Sequence, residues 1–262
     1  MLVLHHIRAE EKAAPCVAAL GFFDGVHMGH RAVIETARAE AAARGVRCGL
    51  FTFEPPTHTT RTVSKSDVRL LQSVTQRESI LESLGVEQIL CPPFESFYDF
   101  TPAEFVQIVL HDTLCCTGVV CGQDYRFGQR GSGDVAMLRM LAEPYGITVT
   151  VLAPVLYQDE VVSSTRIRAE LAAGRLALAG EMLCTPYAID APITQRGNTF
   201  LQVLPHGMMP PAAGCYRSRL NGTVPAETEV LHRGTEVCFC TAASGFTPKT
   251  GALVRLELLT EK

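Results

Sequence analysis

The run Gly21-Phe22-Phe23-Asp24-Gly25-Val26-His27-Met28-Gly29-His30 carries two histidines in an H-x-G-H spacing. It follows a short apolar stretch, Cys16–Leu20, and opens an alanine-rich segment of helical character. A helix N-terminus has unpaired N–H groups and a positive dipole end, both suited to a phosphate. Gly29 lets a phosphate come close to the backbone. His27 and His30 add two side-chain donors, able to hold a triphosphate and to stabilise charge growing on a pentavalent phosphorus. A single histidine is more often structural. Two at this spacing, at a strand–turn–helix junction, point to chemistry.

A second helix start lies at Val162-Ser163-Ser164-Thr165-Arg166-Ile167-Arg168. Ser or Thr at a cap is common in any helix, so the hydroxyls alone say little. Two arginines in the first turn oppose the helix dipole, and that local cost suggests an anionic ligand. Arg166 and Arg168 are not on one face at this spacing, so one of the two reaching the phosphates is an open alternative.

The elements that must position these residues alternate. Strand-like runs at Cys16–Leu20, Val46–Phe53, Val86–Leu90, Thr117–Cys121 and Ile147–Leu152 are separated by helical segments. The helices read as Gly29–Arg44, Thr75–Leu84, Thr101 to about Leu110, Asp134–Tyr145 and Ser163–Ala173. Gly45, Gly85 and Gly174 stand where helices end. Thr101-Pro-Ala-Glu104 is a capping box with proline at the first helical position. This rhythm predicts a mainly parallel sheet with helices on both faces, an α/β Rossmann-like domain. Such sheets bind ligands at the carboxyl ends of strands, near a topological switch point. From about Pro186 the pattern changes to short runs (Phe200–Leu204, Gly214–Leu220, Thr235–Cys240, Leu253–Leu259) separated by turn formers, which predicts a small all-β, barrel-like domain. The predicted boundaries are 1–186 and 187–262.

Composition narrows the classes. The chain has 262 residues, 47% hydrophobic and 19% charged, which excludes disordered and fibrous classes. A net charge of −4 argues against a nucleic-acid partner. There is no long uncharged apolar stretch, and the start, with His and charges after four apolar residues, does not read as a signal peptide. The ten cysteines form no C-x-x-C pair and mostly sit in apolar runs, so reduced thiols in a cytoplasmic protein are expected. The Gly128–Gly133 segment reads as a flexible loop, and the phenylalanines at 94, 97, 100 and 105 as packing residues.

As a set, F-D-G-V-H-x-G-H, Thr52-Phe53-Glu54-Pro55, Gly122-Gln-Asp124-Tyr125-Arg126-Phe127-Gly128 and S-S-T-R-I-R resemble one family. It is the adenylyltransferase half of bacterial bifunctional riboflavin kinase/FAD synthetases, and the resemblance covers about residues 16–187. It implies transfer of AMP from MgATP to FMN, giving FAD and pyrophosphate, with ATP and FMN as substrates and Mg2+ as cofactor. It implies catalytic roles for His27, His30, Arg166 and Arg168. ATP contacts are implied at Gly21, Phe22, Phe23, Asp24, Gly25, His27, His30, Ser163, Ser164, Thr165 and Arg166. Flavin contacts are implied at Phe53, Pro55, His58, Asp124, Tyr125, Arg126 and Phe127. The metal ligands stay unassigned. The family usually reads F-x-P-H-P after its second strand; here the sequence is Phe53-Glu54-Pro55-Pro56-Thr57-His58. His58 either substitutes for the displaced histidine or is a solvated loop residue.

The second piece departs further. Leu183-Cys184-Thr185-Pro186-Tyr187 loosely matches the family's entry to its riboflavin kinase barrel, and Gly214-Cys215-Tyr216 a later strand. The P-T-A-N signature that serves magnesium and phosphate has no counterpart between Ala188 and Leu204. A degenerate barrel without kinase activity is therefore expected. The alternatives are a non-catalytic flavin- or nucleotide-binding regulator, and a nucleotidylyltransferase acting on another phosphorylated acceptor.

Overall fold

Every residue of Cys16–Leu20 (β2) is buried, as expected for a central strand covered on both faces. Its side chains alternate. Cys16, Ala18 and Leu20 enter one apolar cluster with Phe105, Val106, Leu110, Leu138 and Ala142. Val17 and Ala19 enter another with Val33, Ile34, Ala37, Ala41 and Leu81. This period-two split is what places helices on both sides of one sheet.

The computed structural model describes residues 1–7, 13–54, 69–196, 199–233, 236–243, 245–246 and 248–261. By its contacts the chain divides into two units, Met1–Ser66 with Glu78–Leu156, and Asp67–Arg77 with Tyr157–Lys262. No helix among the described residues is long and apolar enough to cross a membrane.

The first unit holds a six-stranded sheet. Its strands are β1 (Leu2–Leu4), β2, β3 (Arg47–Phe51), β4 (Gln88–Leu90), β5 (Cys116–Gly122) and β6 (Thr148–Leu152), in the order β1-β4-β3-β2-β5-β6. Every pairing is parallel. The order reverses direction at β2, which has β3 on one side and β5 on the other. Helix α1 (Met28–Arg44) starts after β2 and ends at Gly45 in the left-handed conformation. Helix α2 (Val74–Ser83) precedes β4 and is followed by Gly85 at φ 83°.

The capping box at Thr101 forms as predicted and opens α3 (Pro102–Glu104). The continuation differs from the expected α-helix. Phe105–Thr113 winds as a π-helix. The buried residues along it and at its C-cap, Leu114, come in pairs four apart: Phe105/Val106, Val109/Leu110, Thr113/Leu114. The wider i→i+5 winding keeps those pairs on the sheet side. Helix α4 (Val135–Ala142), capped by Asp134, completes this face.

In the second unit, α5 (Ser164–Ala172) and α6 (Leu176–Leu183) pack together. A two-stranded hairpin, β7 (Leu156–Tyr157) and β8 (Glu160–Val161), precedes α5. Seven strands follow: β9 (Tyr187–Pro192), β10 (Thr194–Arg196), β11 (Thr199–Val203), β12 (Gly214–Leu220), β13 (Val224–Arg233), β14 (Glu236–Ala242) and β15 (Leu253–Glu261). They form an antiparallel sheet in the order β10-β11-β14-β13-β12-β15-β9. It is barrel-like and nearly closed. Gln202 of β11, 1% exposed, donates to the carbonyls of Ala191 (β9) and Val254 (β15), each at 2.8 Å. The all-β expectation for this part therefore holds. Helix α6 was not foreseen. It has an internal Gly180, and a cysteine, Cys184 at φ 58°, in the left-handed position where a glycine would have signalled its end.

Candidate active site

Three of the expected site segments leave the carboxyl ends of adjacent strands: Gly21–His30 after β2, Phe53 after β3, and Asp124–Phe127 after β5. Those strands flank the point where the sheet order reverses, the usual ligand position in open α/β sheets.

The loop from Gly21 to His27 is wound tightly. Phe23 (φ 54°), Gly25 (φ 92°) and Val26 (φ 35°) all have left-handed backbone. A bulky and a β-branched residue in that region are costly, and such strain collects at functional sites. Burial holds the loop in place: Phe23 and Val26 are fully buried, and Asp24 is 2% exposed. Two further bonds pin it. Thr52 Oγ1 donates to Phe22 O at 2.8 Å, and Arg31 Nε donates to Val26 O at 3.1 Å. Neither Thr52 nor Arg31 was among the expected site residues. Thr52 lay inside the quoted T-F-E-P run, so a signal for it was present.

His27 is the N-cap of α1, and its Nδ1 accepts from the backbone N–H of His30 at 3.3 Å. That bond places the proton of a neutral His27 on Nε2. The two imidazole rings stack with centroids 3.6 Å apart and planes 16° apart. Burial, and then the charge of His27, hold His30 well below the ordinary histidine range. His30 Nδ1 is buried without a hydrogen-bond partner among the described residues. An unpaired buried ring nitrogen is costly, and such groups call for a functional account.

The expected flavin segments meet through aromatic rings. Phe53 stacks on Phe22 at 4.9 Å and leans on Phe94 at 5.5 Å and Phe97 at 5.7 Å. Phe105 reaches Phe127 at 5.4 Å, and Phe127 stacks with Tyr125 at 6.0 Å. Phe97 and Phe105 are buried, as packing residues should be; Phe22, Phe53, Phe94 and Tyr125 are half-buried. Asp124 and Arg126 are exposed, and Arg126 lies 4.0 Å from Asp134, a surface pair of little energetic weight. Pro55 and His58 lie outside the described residues, as do Pro56 and Thr57.

The Gly128–Gly133 loop is tied rather than loose. Phe127 and Gly133 exchange backbone hydrogen bonds at 3.2 and 2.9 Å, and Gln129 N donates to Phe100 O at 2.6 Å. Gly133 is required there, because a Cβ would meet the Phe127 ring at 2.7 Å.

Ser163 to Arg168 lie in the second unit. Ser163 caps α5, accepting from Arg166 N at 3.2 Å, with Ser164 and Thr165 in the first turn. The two arginines point apart, as their spacing implied. Arg166 Nη1 donates to the carbonyls of Tyr157 and Glu160, at 2.9 and 3.0 Å, and Arg168 Nε donates to Arg69 O at 2.7 Å.

Among the described residues a magnesium ion would meet single carboxylates, which suits an ion carried by phosphates. Among the described residues no three His, Cys, Asp or Glu side chains gather as a cage. Asp24 supplies a hard carboxylate in the strained loop, and Mg2+ takes one or two carboxylates alongside phosphates and water.

A family model described as FAD synthetase matches residues 9–166. A bifunctional riboflavin kinase/FMN adenylyltransferase of Pseudomonas fluorescens is 33% identical over 187 residues, covering 71% of this chain and 59% of the relative. A protein of the same description from Listeria monocytogenes is 32% identical over 187 residues, covering 70% and 59%. The chain thus spans less than two thirds of the length of these curated relatives. A crystal structure titled as a macrolide-efflux protein from Streptococcus pneumoniae superposes with a TM-score of 0.85 over 100% of this chain and 91% of that one. At 22% identity that likeness is one of fold.

Proposed function

Because the chain belongs to the FAD synthetase family, we propose that it transfers the adenylyl group of MgATP to FMN, giving FAD and pyrophosphate. The observation that carries this reading is the His27–His30 pair, stacked at the start of α1 beyond the central strand. In the reaction an FMN phosphate oxygen attacks the α-phosphorus of ATP. A new P–O bond forms, the α–β P–O bond breaks, and pyrophosphate leaves. The attacking oxygen is already anionic, so no strong base is needed; alignment and charge neutralisation carry the rate.

In this reading His27 Nε2 and His30 donate to ATP phosphate oxygens, and Gly21–Gly25 shape the loop that receives the nucleotide. Ser163, Ser164 and Thr165 offer hydroxyls and first-turn N–H groups to phosphate oxygens, and Arg168 adds charge. Phe53, Tyr125 and Phe127, with Asp124 and Arg126, form the flavin wall, together with Pro55 and His58 of the neighbouring segment. Magnesium, when bound, neutralises phosphate charge, and Asp24 is the carboxylate that would hold it.

The adenylyltransferase is proposed to occupy residues 1–186. Residues 187–262 are proposed to be a riboflavin-kinase-like barrel that has lost its activity, since the P-T-A-N signature is absent. A cytoplasmic setting, with only small-molecule partners, accords with both substrates. Product analysis tests both parts: purified protein with MgATP should convert FMN to FAD and leave riboflavin unphosphorylated. Catalytic FMN formation from riboflavin would refute the loss of the kinase.

A further inference from the structure

The geometry points to Arg166 as a positioning residue: it braces the Tyr157–Glu160 hairpin against the phosphate-binding turn instead of binding phosphate itself. This rests on the proposed adenylyl transfer for its kinetic meaning, but not for its structural content.

The hairpin is poorly made on its own. Its strands have two residues each, far short of what stands alone in water. Its turn residues, Gln158 and Asp159, both adopt left-handed backbone, φ 52° and 62°, without a glycine at either position. Two-residue turns of this kind prefer Asn-Gly or Gly-Gly, because φ is positive at both central positions. External bonds must therefore hold it. Arg166 Nη1 donates to Tyr157 O and Glu160 O, the carbonyls on either side of that turn. Arg166 Nε also lies 3.1 Å from the Glu160 carboxylate. Tyr157 adds a second tether, donating its hydroxyl to Glu181 Oε2 of α6 at 2.6 Å.

The same residue secures the neighbouring turn. The backbone N–H of Arg166 is the one that Ser163 Oγ caps. Only Val162, 5% exposed, separates the hairpin from that cap. Arg166 thus closes a short chain loop through its side chain at one end and its main chain at the other. Ser163–Thr165 is fixed between the two. The Arg166 side chain is 13% exposed, and its fork is directed at backbone carbonyls. A guanidinium committed in this way acts on phosphate only through the backbone that it holds.

The test uses the full chain with Arg166→Met, Arg166→Lys and Glu160→Gln. In ligand-free protein, amide exchange over residues 157–165 should quicken at least about tenfold in Arg166→Met, while the strands of the parallel sheet keep their protection. Arg166→Lys, which retains a donor for the carbonyls, should recover part of that protection. In the adenylyl transfer assay, Arg166→Met should raise KM for ATP more than it lowers kcat. Glu160→Gln should move KM in the same direction by less. Unchanged exchange over 157–165, with kcat reduced about a hundredfold at constant KM, would place the guanidinium on the reacting phosphates and overturn the brace. So would a lower KM for ATP in Glu160→Gln, which would mean that Glu160 competes with phosphate for Arg166. If the unaltered protein makes no FAD, the proposed reaction falls, and the exchange results still decide the brace.

Discussion

The imidazoles of His27 and His30 lie face to face, 3.6 Å between centroids, with the His27 ring also accepting the His30 backbone N–H. Two protonated rings cannot share that stack without strong repulsion. The pair therefore works with at most one charge, and the direction of the His30 shift says that His30 is the neutral member. A neutral donor beside a helix start can follow charge as it develops on phosphate.

Replacing His30 by Ala should reduce kcat for FAD formation by about a hundredfold or more, in line with the loss of one positioned donor to a developing charge. His30→Asn, which keeps a donor, should lose less. Steady-state rates of FAD release, measured on variants with unaltered circular dichroism, check this. Equal losses for both variants would make the role steric.

The same histidine predicts a pH dependence of stability. Burial holds the pKa of His30 in the fold well below the ordinary histidine value of about 6.5, so the unfolded chain binds the proton first. Its contribution is complete above pH 6.5, shrinks as pH falls below 6.5 towards the folded pKa, and then stays constant. Thermal melting from about pH 7.5 down to about pH 5 should show a decline in Tm that is shallower in His30→Asn. Parallel curves for the two proteins would assign the decline to other groups.

Thr52 Oγ1 holds the strained Gly21–His27 loop through Phe22 O, and Thr52 is 1% exposed. Thr52→Val keeps the shape and leaves the part-buried Phe22 carbonyl short of a partner, at a cost of about 1 kcal/mol. Chemical denaturation should show that loss, and the assay a raised KM for ATP. A stability unchanged within error would mean that the loop finds another donor.

How much of this could be read from the sequence depended on whether the signal was local. Gly45 in the left-handed position, the Thr101 capping box and the H-x-G-H turn are set by neighbours a few residues away, and they formed as expected. The hairpin before α5 was not legible, because Gln158 and Asp159 take a conformation normally marked by glycine, and the compensating bonds come from Arg166. Strand β13 was missed because its Val224-Pro-Ala-Glu-Thr-Glu run is polar on its outward face and includes a proline. The π-helical winding of Phe105–Thr113 depends on the sheet beneath it. In the proposed site, residue types singled out His27 and His30. Arg31 gave no such signal, because its part is a bond to the Val26 carbonyl that exists only once the loop is wound.

Gly133 offers a check on the proposed flavin wall. A Cβ there would meet the Phe127 ring at 2.7 Å, so Gly133→Ala must displace the ring that stacks on Tyr125. The expected cost is about 1–3 kcal/mol, with a larger rise in KM for FMN than for ATP. Equal effects on the two substrates would separate this ring pair from flavin binding.

The most direct measurement of the central claim is product formation by the purified full chain with FMN and α-labelled ATP in magnesium buffer. Label should appear in FAD with one pyrophosphate released per FAD formed, and His30→Ala should nearly abolish both. Folded protein that binds FMN and ATP yet returns both unchanged would contradict the account.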